Sequence, residues 1–512
     1  MYRTPHISTT AGVPPSRAGK GARGLGQRPM GKTGKIGRAV HYVPSIVKAS
    51  RRPWRAAPLA ALLLLTLSAL IALVASCVAP VPREAPAPLA GRTAPTAIPM
   101  PPTPVGDQTV SGEPAEAVTS PDHAPATRPQ TQIRALWVDA FHDGIKTPPQ
   151  VDKLVADAQL AGINTLIVQV RRRGDAYYNR TTEPRTADPA LSPGFDALQR
   201  TIERAHAAEP PLEVHAWIAT VALWNERDRP PADPHHAFNR HGPHAPGAEN
   251  WISLDDSGAA WDGSNYMLDP GHPGATRYVA EVAAELVREY DIDGIHLDLV
   301  RYASARWGYN PVSVARYNRR HGTTGQPAPT DLRWQQWRRD QVTALVRRVY
   351  LDSLAVKPRV KVSAATIGWG SGPVDERTWR ETSAYGSVFQ DWISWLDEGI
   401  VDVVMPMTYD DEGDPVQQAW FDQWTAWQRQ RKGRRHVAVG IGLFLNDPAG
   451  GLAQIRRALE PAASGLRLDG VALDSYAVSN APHRGSETPA TPNEELFRAL
   501  AGPNPWRGDA PA

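Results

Sequence analysis

From Ile133 onward, short apolar runs with β-branched residues alternate with longer stretches whose apolar positions recur every three to four residues. The first pattern predicts buried strands and the second amphipathic helices. Strands are predicted at 134–139, 163–170, 212–219, 292–299, 358–366, 400–407, 435–442 and 468–474. Helices are predicted at 148–161, 195–209, 275–290, 332–355, 386–398, 415–431, 449–463 and 493–500. Eight strands, each followed by a helix, give the count of an α/β (β/α)8 TIM barrel over 131–502, with a doubly wound open sheet as the alternative. Long loops follow the third, fourth and fifth strands, at 220–274, 303–331 and 367–385. Loops of that size in a compact domain are usually functional.

The N-terminal quarter has a different texture. Residues 1–55 carry twelve Lys or Arg and no acid. An uncharged apolar run at 56–77 ends in Val74-Ala75-Ser76-Cys77, which resembles a bacterial lipobox, with Cys77 as the lipidation site. An uncleaved transmembrane anchor is the second reading, because the run approaches the ~20 residues that span a bilayer. Either reading expects a lipid-membrane partner, with the body on the extracytoplasmic side. Translation could equally begin at Met30. Residues 78–130 are rich in Pro, Ala and Thr; they read as a disordered tether reaching roughly 150 Å when extended at ~3.1 Å per residue.

Overall charge is +3, yet without the first 55 residues the chain has 44 basic against 53 acidic residues, a net of −9. That argues against nucleic acid as a partner. The single Cys excludes an internal disulfide or a Cys-built zinc site. No phosphate-binding Gly loop follows any strand, so no cofactor is expected. His235, His236, His241 and His244 invite a metal reading. They lie in a Pro- and Gly-rich segment without a clear acidic ligand, and no metal is expected.

Barrel enzymes carry their chemistry at the C-terminal ends of the strands. Those ends supply Asp139, Arg171, Tyr177, Glu183, His215, Trp217, His296, Asp298, Arg301, Tyr302, Tyr409, Asp410 and Asp474, and the loop LDPGHP adds Asp269 and His272. Carboxylates beside aromatic residues suit glycosidic cleavage, which needs one carboxyl to protonate the leaving oxygen and another to attack or activate water. Asp298 in DIDGIHLDLVRY is the expected nucleophile or base, with Arg301 turned back to hold it ionised. Glu183, Asp410 and Asp474 are the candidate acids. The fifth strand ends in SAATIG and offers no Glu. Seventeen Trp against seven Phe fit stacking on sugar rings. Trp334, Trp337, Trp395 and Trp427 sit in helical patterns and read as packing residues.

The segments RALWVDAF, INTLIVQVRRRGDAYY, MLDPGHP, DGIHLDLVRY, VVMPMTY and GIGLF together resemble the glycosyl hydrolase-like 10 domain family, formerly a domain of unknown function, over about residues 132–480. The resemblance implies a secreted or lipid-anchored barrel glycoside hydrolase acting on cell-envelope glycan, with denuded peptidoglycan strands as one substrate. It supports Asp298 as an active-site residue. Many members carry a second Asp directly afterwards, where this chain has Leu299, and Pro where it has Ala303. The second carboxylate must then come from elsewhere, or the barrel binds glycan without turnover. Hydrolysis of an α-glucan or another polysaccharide is a further alternative.

Overall fold

The structure, a computed structural model, describes residues 132–482, 493–502 and 506. The basic N-terminal region, the apolar run with Cys77 and the Pro-rich linker lie outside the described residues. Among the described residues there are ten strands: β1 (Ile133–Val138), β2 (Thr165–Arg171), β3 (Glu213–Ala219), β4 (Ala222–Trp224), β5 (Tyr266–Met267), β6 (Gly294–Asp298), β7 (Lys361–Ile367), β8 (Val403–Met407), β9 (His436–Gly442) and β10 (Gly470–Asp474). Eight close a parallel barrel in the order β1-β10-β9-β8-β7-β6-β3-β2. β4 and β5 pair antiparallel inside the long loop after β3. All eight predicted barrel strands are therefore present. The extra hairpin is too short to leave an alternating pattern in sequence.

Eleven helices are described: α1 (Pro148–Leu160), α2 (Ala197–His206), α3 (Ala237–His241), α4 (Pro273–Glu289), α5 (Pro311–His321), α6 (Leu332–Val356), α7 (Glu376–Glu381), α8 (Trp392–Glu398), α9 (Pro415–Arg431), α10 (Pro448–Leu459) and α11 (Asn493–Ala501). Five start on a capping side chain followed by Pro: Thr147-Pro148, His272-Pro273, Asn310-Pro311, Asp414-Pro415 and Asp447-Pro448. Each cap accepts a free N–H of the first turn, and the Pro lacks the N–H that would otherwise be orphaned there. The predicted helix 386–398 begins only at Trp392. Phe389 adopts a left-handed backbone (φ 58°), which no helix continues through. The short α3, α5 and α7 subdivide loops read as irregular.

Side-chain alternation sorts the barrel into two apolar clusters. On β1, Leu136 and Val138 pack outward on the helices, whereas Ala135 and Trp137 point inward. Likewise Ile295 and Leu297 on β6 face outward, as do Val471 and Leu473 on β10. The inner cluster is small: Trp137, Ile167, Trp217, Val403 and Met405 fill the bore, with alanines at 135, 365, 438 and 472. Alanines opposite two tryptophans let bulky rings fit in a narrow bore. Trp334, Trp337, Trp395 and Trp427 are buried, as their helical pattern predicts. In the loops, Trp224, Trp251 and Trp307 are also buried, while Trp261 and Trp369 remain partly exposed.

Candidate active site

Inward alternation continues past the apolar layer into charge. Two residues beyond Trp137 stands Asp139, two beyond His296 stands Asp298, and two beyond Ala472 stands Asp474. The Asp298 carboxylate accepts the backbone N–H of Leu299 (2.6 Å) and the indole N–H of Trp217 (3.2 Å). The first bond exists because Leu299 takes a left-handed backbone (φ 52°), a conformation costing an L-residue roughly 1–2 kcal/mol. Such strain is retained where it serves a site. The Leu299 side chain packs against the outer apolar cluster. The inward-facing carboxylates are instead Asp139, Asp298 and Asp474.

Asp474 lies among negative groups. Burial, then the charge of Asp139, then that of Asp298, push its carboxyl up to about 7, against a hydrogen bond from Tyr409 and the pull of His142. Asp139 has the opposite balance. Burial would raise its pKa, but His142 and the N–H groups of Phe141 (2.8 Å) and His142 (3.0 Å) outweigh that and lower it. His142 Nδ1 stands 2.9 Å from the Asp139 carboxylate, which raises the imidazole pKa, and Ser475 Oγ–H donates to the same carboxylate (3.3 Å). Neighbouring carboxylates oppose each other's ionisation. With the Asp139 carboxyl held low, its negative charge helps keep the proton on Asp474. Burial, the largest influence, also raises Asp298, and the N–H of Leu299, the charge of Arg301 and the N–H of Trp217 oppose it. The expected simple pairing that would hold Asp298 ionised through Arg301 is therefore outweighed by desolvation.

Tyr409 completes the rim, edge-on to Trp137 (6.5 Å) and to Phe444 (5.6 Å). Arg301 lies over the face of Trp369 (5.5 Å) at the mouth. A cavity of about 560 Å³ flanks the rim between His142, Lys153, Tyr476 and Phe497. Trp137, His142, Phe444 and Ser475 were absent from the sequence-derived candidates. Counting back two residues from Asp139 would have found Trp137; nothing in the sequence marks His142.

The other candidates lie elsewhere. Glu183 is a structural ion pair: Arg171 Nε–H donates to its carboxylate at 2.9 Å, Arg171 also bonds Ala219 O (2.6 Å), and Tyr278 donates to Glu183. Both side chains are almost fully buried. Removing one partner strands a buried charge. Glu183→Gln should cost about 3–5 kcal/mol of unfolding free energy in urea titration, with kcat of the folded fraction within about twofold. Tyr177 donates to Asp188 (2.9 Å), which also pairs with Lys146 (3.1 Å). Asp269 ties the long loops together by accepting from Gly271 N–H (2.7 Å), Ser313 (3.1 Å) and Tyr302 (3.2 Å). His272 caps α4. His236 caps α3, and His241 stacks on Trp251 at 3.4 Å.

Asp410 follows Tyr409 but is 3 % exposed, and its Oδ2 has no hydrogen-bond partner among the described residues. Burial pushes it up to about 7 from an ordinary 3.8. The folded state then keeps a proton that the unfolded chain releases. Stability present at low pH is lost as pH rises from about 4 to about 7. Asp410→Asn never ionises, so it should raise stability at pH 8 by about 1–3 kcal/mol and change little at pH 4, as read by thermal melts at the two pH values.

Residues 132–447 match the family described as Glycosyl hydrolase-like 10. The chain belongs to this family. Named relatives are similar to the chain as well. Glycosyl hydrolase YngK of Bacillus subtilis (strain 168) is 27 % identical over 330 residues, covering 61 % of this chain and 60 % of the relative. Glycosyl hydrolase DigH of Escherichia coli (strain K12) is 25 % identical over 285 residues, covering 52 % and 58 %. The chain thus spans about 60 % of the length of these curated relatives. Among solved structures, the glycoside hydrolase domain of PgaB (BpsB) from Bordetella bronchiseptica superposes with a TM-score of 0.52 at 14 % identity, covering 73 % of this chain and 99 % of that domain. A β-galactosidase from Bacillus circulans sp. alkalophilus gives 0.50 at 14 % identity, covering 73 % and 55 %. Both share the barrel of this Glycosyl hydrolase-like 10 member.

Proposed function

We propose that this chain is a glycoside hydrolase that cleaves a cell-envelope glycan, with denuded peptidoglycan strands as the favoured substrate, outside the cytoplasmic membrane and tethered through Cys77. The observation that carries the chemistry is the unequal pair at the barrel mouth. Burial raises both carboxyls, but on Asp298 two N–H donors and the charge of Arg301 oppose the rise, whereas Asp474, beside Asp139 and Asp298, keeps its proton to about pH 7. Environments that push two carboxyls apart assign an acid and a base. Asp474 gives its proton to the departing glycosidic oxygen. Asp298 attacks the anomeric carbon or takes the proton of an attacking water. Trp369 and Trp261, the partly exposed loop tryptophans, offer faces for sugar rings. The names of YngK and DigH, both glycosyl hydrolases, support this reading. The lipobox-like sequence and the Pro-rich tether support the location.

The test is a reducing-end assay of the full chain on denuded peptidoglycan beside a panel of plain polysaccharides. New ends from peptidoglycan alone support the proposal. Ends from an α-glucan alone would change the substrate. Glycan binding by calorimetry with no new ends would replace the hydrolase with a binding barrel.

A further inference from the structure

Beneath the carboxylates the bore holds a polar chain that the cleavage reaction does not touch. Trp137 Nε1–H donates to His296 Nε2 (3.0 Å). His296 Nδ1 stands 2.9 Å from Ser363 Oγ, and the same oxygen stands 2.8 Å from His215 Nδ1. His215 Nε2 faces the Glu213 carboxylate at 3.8 Å, and Glu213 pairs with Lys361 at 2.6 Å near the opposite end of the barrel. His215, His296 and Ser363 are buried. Gly294 makes the room: a Cβ there would stand 2.7 Å from the His215 ring.

Donor logic fixes the protons on His296. An indole N–H can only donate, so His296 Nε2 must be bare. Its ring proton therefore sits on Nδ1 and points at Ser363. A doubly protonated ring would set two N–H groups against each other in a buried place, so His296 is neutral. Ser363 Oγ accepts that N–H, and its own hydroxyl has two acceptors in reach, His215 Nδ1 (2.8 Å) and the Ile295 carbonyl oxygen (3.4 Å).

His296 also touches both halves of the catalytic pair at one remove. Trp217, the donor to Asp298, packs edge-on to His296 at 6.3 Å. Trp137 packs edge-on to Tyr409, and Tyr409 hydrogen-bonds Asp474. We infer that His296 is a positioning residue: as a fixed Nδ1–H tautomer it holds the two tryptophans that orient Asp298 and, through Tyr409, Asp474. This rests on the proposed hydrolase reading. A small displacement of a reacting group lowers turnover far more than it lowers ground-state binding.

Gln places a carbonyl close to where His presents Nε2, whereas Leu supplies bulk without an acceptor. His296→Leu should lower kcat by about 30- to 100-fold with KM within about twofold, and His296→Gln should retain kcat within about fivefold. Wild-type kcat in a folded His296→Leu would overturn the inference. So would a folded His296→Gln as slow as the Leu variant, because shape and not the acceptor would then matter. Nitrogen-15 NMR of the wild-type full chain decides the matter without substrate and irrespective of how the variants fold. His296 should show Nδ1–H and no titration from pH 5 to 8, and the Trp137 indole signal (assigned with Trp137→Phe) should show a strong hydrogen bond. An Nε2–H tautomer or a titrating ring would overturn the inference even if the hydrolase reading stands. The expected NMR result with no turnover on any glycan would instead count against the hydrolase reading alone.

Discussion

Asp298→Asn should fold like the wild type and lower kcat by about 10⁴-fold or more, the scale of losing a group that acts directly on the reacting atoms. That loss equals about 5.4 kcal/mol of transition-state stabilisation. Folding should survive because the amide oxygen can still accept from Leu299 N–H or Trp217, and because burial already opposes the charge that Asn removes. Stability at neutral pH should hold or rise slightly. The check is single-turnover kinetics beside a thermal melt. Turnover near the wild-type rate in a folded variant would remove Asp298 from the chemistry. A collapsed melt would show instead that Asp298 holds the rim together.

Asp474 should act in its protonated form, which gives a pH signature. With its carboxyl raised to about 7 by burial and by Asp139 and Asp298, the acid form predominates below neutrality. The rate should therefore fall as pH rises through about 7, close to tenfold per unit beyond it. Asp474→Asn should lower kcat by about 10²–10⁴-fold on natural glycan and abolish that basic limb. Aryl glycosides with leaving groups of low pKa need no proton, so the same variant should cleave them with a much smaller loss. A pH profile with the basic limb intact in Asp474→Asn would move the acid role to another group. Neutralising Asp139 instead, by Asn, should draw the limb to lower pH, because one of the charges holding the proton on Asp474 is gone.

The barrel was legible because period-two and period-3.6 patterns survive burial on both faces: all eight strands and the long helices stand within a few residues of their predicted places. Errors came where a local device overrides pattern. The left-handed Phe389 breaks a helix that the residues around Ser383–Ser387 would otherwise extend, and Pro461 and Pro210 end two others early. The site was half legible. Asp139, Asp298, Asp474, Tyr409 and Trp217 come together at the mouth from strand ends that alternation alone can identify. Glu183, Arg171, Tyr177, Asp269 and His272 were indistinguishable from these in sequence. What separates them is a partner contributed from far along the chain: Tyr278 for Glu183, and Ser313 and Tyr302 for Asp269. The order of acidity among the carboxyls was not legible either. It depends on His142 reaching Asp139, a three-residue contact that leaves no periodic trace.

Ring closure has a consequence for how the activity comes into being. The seam between β1 and β10 pairs Ile133 with Gly470 and Trp137 with Asp474, joining the first strand of the barrel to the last. Asp474 therefore reaches the other two carboxylates only when the final strand docks, after some 340 residues of intervening chain have found their places. Contacts so distant in sequence form late. As the chain emerges N-terminus first it would remain an open sheet without the full carboxylate set, which would be completed in one step with the last strand. A fragment ended at residue 447, the limit of the family match, would lack both that strand and its carboxylate. It would leave β1 and β9 with bare edges, a template for self-association in place of an enzyme.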